Sequence, residues 1–123
     1  MATTTKDKYV VLGALDPSPL LLVVNSHIAP FLQRDPRLRA CQVRLRSEEY
    51  SFLVRDSWIN AAEVLNGVCL EEIIEQCVED VSRLKGELHA GTREQIIAAV
   101  RRAHTVSPAH KLAIEKALSR RGR

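Results

Sequence analysis

A stretch of alternating polar and apolar residues, CQVRLRSEEYSFLVR at positions 41–55, decides the fold. Successive side chains on a β-strand point to opposite faces, so this alternation is typical of strands with one buried face. Ser47, Glu48 and Glu49 interrupt the alternation once. The stretch therefore predicts a β-hairpin whose turn lies at residues 47–49. Its apolar positions are Cys41, Val43, Leu45, Tyr50, Phe52 and Val54.

The residues upstream of this hairpin predict two further strands and a short helix. Residues 9–12 form a β-rich run, and a turn signal at 16–19 precedes the apolar run 20–24. The second run can also begin a helix, because a serine followed by proline is a common helix start. After it, Ser26 is predicted to cap a short helix that Asp35 ends before Pro36.

Downstream of the hairpin, apolar residues recur every three to four positions instead of every two, which indicates helices. The first is predicted to begin at Asp56 or Ser57 and to stop at Asn66-Gly67. The clearest helix covers residues 69–85, and two more begin near residues 91 and 107. The first helix would bury Trp58, Ala61, Ala62 and Leu65. The clearest helix would bury Leu70, Ile73, Ile74, Cys77, Val78, Val81 and Leu84.

Strands in one half of a chain and helices in the other are typical of the α+β class. We therefore predict a small antiparallel sheet from the N-terminal half, packed against helices of the C-terminal half. The length of 123 residues fits one domain, spanning residues 1–123.

Charge is unevenly distributed along the chain, although the net charge is only +3. Residues 1–46 carry seven basic and three acidic groups, residues 47–80 carry one and nine, and residues 81–123 carry ten and three. Segregated charge steers partners of opposite sign and says nothing about fold. The distribution therefore indicates a binding function.

The three cysteines, Cys41, Cys69 and Cys77, do not form the even, regularly spaced set of a disulfide framework. They are interpreted as small apolar core residues in a reducing compartment. The longest apolar run has five residues against the ~20 that a membrane helix needs, so we expect no membrane association. Together these features predict a cytoplasmic protein.

No recognised catalytic, phosphate-binding or metal-binding motif occurs, so we predict neither an enzyme nor a cofactor. Cys69 and Cys77 are eight residues apart on one predicted helix, which separates their Cα atoms by ~12 Å and excludes a shared metal. His104 and His110 flank a helix start where they could transfer protons. A solvated loop explains them better, because no orienting carboxylate is recognisable beside them.

Acidic side chains along the clearest helix form the first candidate site. Glu71, Glu75 and Glu79 are spaced at i, i+4 and i+8, and Glu72 lies beside them, so all four share one flank of the helix. We call these four residues the acidic row. Because like charges at this spacing repel, the row does not serve helix stability. It is predicted to bind a partner unless the chain's own arginines neutralise it. Further acidic residues that can extend this face are Glu48, Glu49, Asp56 and Glu63.

Basic residues of the last two helices form the alternative site, because they could contact the phosphates of a nucleic acid. No recognition-helix signature accompanies them, and polar residues that read base edges are scarce there. These basic residues are Arg101, Arg102, Lys111, Lys116, Arg120 and Arg121.

Three consecutive features carry a family resemblance: the stretch 50–56, the segment WINAAEVL at 58–65 and the acidic segment LEEIIEQCVEDV at 70–81. In this order they resemble the small immunity proteins of bacterial contact-dependent growth inhibition systems. The resemblance implies a non-catalytic protein that binds a cognate toxin domain, often a nuclease with a basic active site, and blocks access of its substrate. No functional residue of that family can be assigned to a particular position of this chain.

Overall fold

The computed structural model describes residues 9–119 except 17, 68, 70, 73 and 76–86. Its four strands are β1 (Val10–Ala14), β2 (Leu20–Asn25), β3 (Gln42–Leu45) and β4 (Ser57–Asn60). Its helices are α1 (Pro30–Arg34), α2 (Pro36–Arg39), α3 (Ala90–Arg102) and α4 (Pro108–Ser119). Residues 71–72 and 74–75 are also helical. The strands lie in the N-terminal half and the two long helices in the C-terminal half, which confirms the predicted α+β class.

The four described strands form one antiparallel sheet with the order β1-β2-β4-β3. The run at 20–24 is thus a strand, and the helix alternative is wrong. Its backbone groups are paired on both sides, by β1 over residues 20–23 and by β4 at Val24 and Asn25. Beyond β4 the chain returns to β2, where Leu21 and Leu65 exchange two backbone hydrogen bonds of 2.9 Å.

The hairpin exists, but its second strand is β4 and not residues 50–54. Tyr50, Phe52 and Val54 do not share a face: Leu53 is buried, whereas Val54 is 93% exposed. Residues 47–52 instead form turns, with hydrogen bonds from Glu49 N–H to the Arg46 carbonyl and from Leu53 N–H to the Tyr50 carbonyl. The chain reverses across this loop before it pairs with β3.

The predicted helix from residue 56 to residue 65 is wrong, because its first part is β4. Trp58 and Ile59 favour strands, and every residue of β4 pairs with β3 from Gln42↔Asn60 to Leu45↔Ser57. Trp58 is only half buried, whereas Ala61 and Ala62 are buried in the turn that follows. The predicted helix stop at Gly67 is not one, since no helix directly precedes it in the described residues, but Gly67 has a φ of 135°, which favours glycine.

The short helices begin at other residues than predicted. The residue that precedes α1 is Ala29 and not Ser26. Asp35 does not only end α1 but also caps α2, because its Oδ1 accepts a hydrogen bond of 2.9 Å from Arg37 N–H. Asp35 suits both positions, because its short side chain can accept a hydrogen bond from the first turn of α2 and the proline after it is a common first residue of a helix.

The two long helices cover one face of the sheet, as predicted for the C-terminal half. Helix α3 contacts β3, α4 contacts β1, and the two helices contact each other. The predicted cap of α4 is confirmed, since Ser107 Oγ accepts a hydrogen bond from His110 N–H at 3.2 Å. The core between these elements includes Leu22, Val43, Leu45, Ile59, Ile96, Val100, Ile114 and Leu118.

The middle of the chain departs from two predictions. Ile74 was assigned to a buried stripe but is 52% exposed. Cys69 was interpreted as a core residue but is exposed, whereas Cys41 is buried as expected. Burial raises the pKa of the Cys41 thiol, whose Sγ donates to the Arg37 carbonyl. The remainder of the predicted helix at 69–85, including Cys77 and Glu79, lies outside the described residues.

No helix in the described ranges is both long and apolar enough to cross a membrane.

Candidate partner-binding surface

Three residues of the acidic row lie on the described helical positions. Glu71, Glu72 and Glu75 are all exposed. The helical turn begins at Cys69, whose carbonyl accepts a hydrogen bond of 3.0 Å from Glu72 N–H. The Cys69 thiol donates to Glu71 Oε1 at 2.7 Å, which lowers the pKa of Glu71.

Glu72 and Glu75 are the other two described members of the acidic row. Neither Glu72 nor Glu75 forms an ion pair with a residue in the described ranges, where the ion pairs are those of Asp35, Glu48, Asp56 and Glu115. Two carboxylates three residues apart on a helix are neighbours, so their fields add at the surface. Glu79, the fourth member of the row, lies outside the described residues.

Asp56 is occupied within the fold. Its Oδ1 accepts hydrogen bonds from Ser47 N–H at 2.8 Å and from Ser47 Oγ at 3.1 Å. Its Oδ2 accepts a hydrogen bond from Arg44 Nε at 3.0 Å. The backbone N–H of Ser47, followed by the Arg44 guanidinium, lowers the pKa of Asp56 to about 2. The structure therefore gives Asp56 a role in joining β3 to the loop that precedes β4.

The two glutamates at the hairpin turn differ in their pairing. Glu48 forms an ion pair with Arg46. Glu49 is exposed and forms no ion pair with a described residue, although its N–H closes the turn onto Arg46. Of the two glutamates at the turn, Glu49 is thus the one without an ion pair to a described residue.

Several basic residues of the alternative site also have partners inside the fold. Arg101 pairs with Glu115 through its Nε at 3.3 Å and through its Nη2. Lys111 Nζ donates to the Arg101 carbonyl at 3.0 Å, at the C-terminal end of α3. Arg102 and Lys116 are exposed and form no ion pair among the described residues. Arg120 and Arg121 lie outside those residues.

The two histidines near the start of α4 form no catalytic arrangement in the described ranges. No carboxylate there contacts the ring of His104 or His110. The hydroxyl of Thr105 donates to the Ala62 carbonyl, and that of Ser107 caps α4. Those hydroxyls serve the packing of the connection between α3 and α4. In the same ranges, no group of three or more His, Cys, Asp or Glu side chains is placed to hold a metal ion.

Sequence reasoning missed a cavity of about 360 Å³ at the end of β2. Asn60 lies in its wall and is 7% exposed. The pattern had placed Asn60 inside a helix, so nothing suggested that it shares a site with His27 and Phe31. A run of β-favouring residues at 57–59 is the signal that could have placed it at the end of a strand.

Comparison of the chain with known protein families, with characterised proteins and with solved structures finds no match.

Proposed function

We propose that this protein is an immunity or antitoxin-like inhibitor that binds a cognate toxin domain, with a nuclease as the expected target, through an acidic surface. The observation that carries the proposal is the exposure of Glu72 and Glu75 without an ion pair to any described residue. A site that binds nucleic acid is basic, so carboxylates presented in a row suit it. Such a complex would form in the cytoplasm, where the toxin would otherwise reach its substrate.

The mechanism requires only binding. Carboxylates spaced along a helix occupy positions in the toxin that are meant for phosphates, and the inhibitor then blocks access of the substrate. Complementary charge accelerates the encounter, because it raises the concentration of correctly oriented partners near the site. Apolar contacts at the centre of the interface then slow dissociation.

The basic helices support their own binding role less well than the acidic row does. Arg101 is bound to Glu115, and Lys111 is bound to the end of α3. Contact with phosphate would have to compete with these internal bonds. Glu72 and Glu75 form no ion pair with a described residue, so binding a partner there would not have to displace one.

Binding of the toxin domain encoded beside this chain tests the proposal. We expect Glu72→Lys and Glu75→Lys each to weaken the complex by about tenfold in isothermal titration calorimetry, because reversal adds repulsion to a lost attraction. Glu94→Lys is the matched control, since Glu94 is also an exposed glutamate on a helix but belongs to α3. Equal affinities of all three variants, or no binding by the unaltered chain, would refute the proposal.

A nucleic-acid-binding regulator is the second candidate, favoured by Arg102 and Lys116, which are exposed and form no ion pair with a described residue. It predicts binding of a fluorescent DNA or RNA duplex that weakens steeply as salt rises. Anisotropy measured at about 50 mM salt, where phosphate contacts are strong, provides the test. Absence of binding by the unaltered chain eliminates this candidate, and binding that survives Arg102→Ala together with Lys116→Ala excludes the predicted surface.

A further inference from the structure

The cavity at the end of β2 is lined by a buried amide, that of Asn60, whose nitrogen has no partner among the described residues. Asn60 Oδ1 accepts hydrogen bonds from Gln42 Nε2 at 2.9 Å and from Ala62 N–H at 3.1 Å. Because a backbone N–H can only donate, the bond from Ala62 identifies the oxygen of the amide. Asn60 Nδ2 then has no hydrogen-bond partner among the described residues.

An unsatisfied donor on a residue that is 7% exposed is unusual, since nearly all buried polar groups find a partner. The two bonds to its oxygen also fix the amide, so the Asn60 side chain cannot turn its nitrogen towards solvent without losing both. Asn60 lines the cavity. Its nitrogen is therefore a preorganised donor for an acceptor atom that enters the cavity.

The charge of the cavity selects what can enter. Among the described lining residues, Glu63 is the one carboxylate and there is no lysine or arginine. Glu63 is exposed and forms no ion pair with a described residue. An anionic ligand would be repelled, so the acceptor that meets Asn60 belongs to an uncharged group such as a peptide carbonyl. A cationic group is favoured beside Glu63.

The apolar part of the lining suits the same ligand. Phe31 is 62% exposed, and Val23 and Leu32 also line the cavity. A cation over an aromatic ring is attracted by the π electrons, and the methylene groups of a lysine or arginine side chain pack well on apolar surface. A basic side chain satisfies Glu63 and Phe31 together.

The neighbouring Ser26 and His27 do not convert this cavity into a catalytic site. Ser26 Oγ lies 3.2 Å from His27 Nδ1, but both residues are exposed. No carboxylate in the described ranges bonds to the His27 ring. A serine nucleophile requires a base that a third group orients, and that group is lacking among these residues.

We propose that this cavity binds a polypeptide segment that carries a lysine or arginine, with a backbone carbonyl on Asn60 Nδ2 and the basic side chain between Glu63 and Phe31. The proposal deepens the proposed function, because it gives the basic partner a second contact beyond the acidic row.

A peptide titration of the full chain tests the cavity without the toxin domain. The probe is the blocked tripeptide acetyl-Ala-Lys-Leu-amide, added to ¹⁵N-labelled protein and followed by NMR. We expect the Asn60 side-chain amide signals to shift with a dissociation constant on the order of 1 mM. The peptide with Glu in place of Lys is the matched control, and it should bind at least about tenfold more weakly.

Two substitutions at exposed residues test the cavity without altering the buried core. Glu63→Gln should raise the dissociation constant by about threefold, as expected for one solvent-exposed ion pair, and Phe31→Ala should raise it by a similar factor. Glu94→Gln, on α3, should leave it unchanged.

Three results would each overturn the proposal: Asn60 signals that stay in place up to about 10 mM peptide, equal binding of both peptides, or equal effects of Glu63→Gln and Glu94→Gln. Because the toxin domain is absent from this test, such a failure would not bear on the proposed binding of the toxin by the acidic row. Failure of the toxin-binding test would likewise not change the peptide result.

Discussion

The carboxylate of Asp56 holds the beginning of β4 close to the end of β3. It accepts two hydrogen bonds from Ser47 and two from the Arg44 guanidinium, across the loop that separates these strands. The same aspartate had been assigned both a helix cap and a place in the acidic surface. The predicted helix is absent, and Asp56 instead binds Ser47, just beyond the end of the preceding strand.

Stability should depend on the ionisation of Asp56 in acid. The pKa of Asp56 is about 2 in the folded chain, against an ordinary value of about 3.9 when unfolded. A lowered folded-state pKa gives stability that is present above about pH 4 and is lost as the pH falls to 2. We expect Asp56→Asn to be less stable than the unaltered chain in urea at pH 7 and equal to it near pH 2. A difference that stays constant with pH would contradict this role, and Glu94→Gln should show none at either pH.

The side chain of Tyr50 caps the beginning of α3, where the side chain of the preceding residue forms no capping hydrogen bond. His89 makes no side-chain cap, but its N–H donates to Tyr50 Oη at 2.9 Å, and Tyr50 Oη lies 2.8 Å from Thr92 Oγ1. The rings of Tyr50 and His89 also stack, with centroids 4.5 Å apart. A phenol from the loop after β3 thus organises the beginning of a helix about forty residues later.

Tyr50→Phe should lower the free energy of unfolding by about 1–3 kcal/mol, because it leaves the Thr92 hydroxyl and the His89 N–H without their partner. Urea denaturation measures the change. Thr92→Val in the Tyr50→Phe background should cost less than in the unaltered chain, since the hydroxyl has already lost its bond. Additive effects would show that the two hydroxyls do not act together.

At the scale of elements, the sequence predicted the two long described helices and misassigned some of the short elements. Helices α3 and α4 and strands β1 and β2 were predicted because their own residues carry the signal. Residues 58, 61, 62 and 65 have helical spacing by coincidence. Pairing with β3 and β2 overrides that spacing, because it satisfies the backbone groups of β4 on both sides. Such pairing depends on residues far apart in the chain, which a local pattern does not contain.

The candidate site also contains residues that the sequence could predict and residues that it could not. Exposed Glu72 and Glu75 follow from helical spacing alone, so the sequence could predict them. The pairing of Asp56 and Glu48 with Arg44 and Arg46 depends on how the hairpin closes. The Asn60 cavity could not be predicted either, since it needs β2, α1 and the turn after β4 to be placed together.

Two glycines in these elements should respond oppositely to alanine. A Cβ at Gly91, in the first turn of α3, meets no atom within 4 Å, so Gly91→Ala should stabilise the fold by about 0.5 kcal/mol. A Cβ at Gly13, in β1, would lie 3.3 Å from Ile114 Cγ1 of α4. Gly13→Ala should therefore destabilise the fold unless Ile114 shifts. Thermal denaturation of both variants compares them, and destabilisation by Gly91→Ala would contradict the open space at that position.

Charge distribution matters at the scale of the whole molecule. The acidic middle of the sequence has exposed carboxylates that form no ion pair with a described residue, whereas part of the basic C-terminal region is neutralised by Glu115 and by the end of α3. Attraction between separated surface charges is screened over ~8 Å at physiological ionic strength. Steering of a basic partner must therefore depend on salt.

We expect the association rate with the basic toxin domain to fall as salt rises from about 50 mM to about 500 mM, with a smaller change in the dissociation rate. The slope should be shallower for Glu72→Lys and unchanged for Glu94→Lys. Stopped-flow fluorescence of Trp58, the only tryptophan, provides the signal. An association rate that does not vary with salt would show that charge does not guide the encounter.

The packing of α4 on β1 sets the order in which the molecule can be completed during synthesis. β1 ends at Ala14, whereas the helix that covers it spans Pro108–Ser119. At the usual elongation rate of about 5–20 residues per second, the ribosome takes about 5–20 s to produce the residues between them. For that interval the inner side of the first strand has no helix against it, and molecular chaperones can bind there. A transcript cut short before codon 108 would therefore produce a chain that remains a chaperone client.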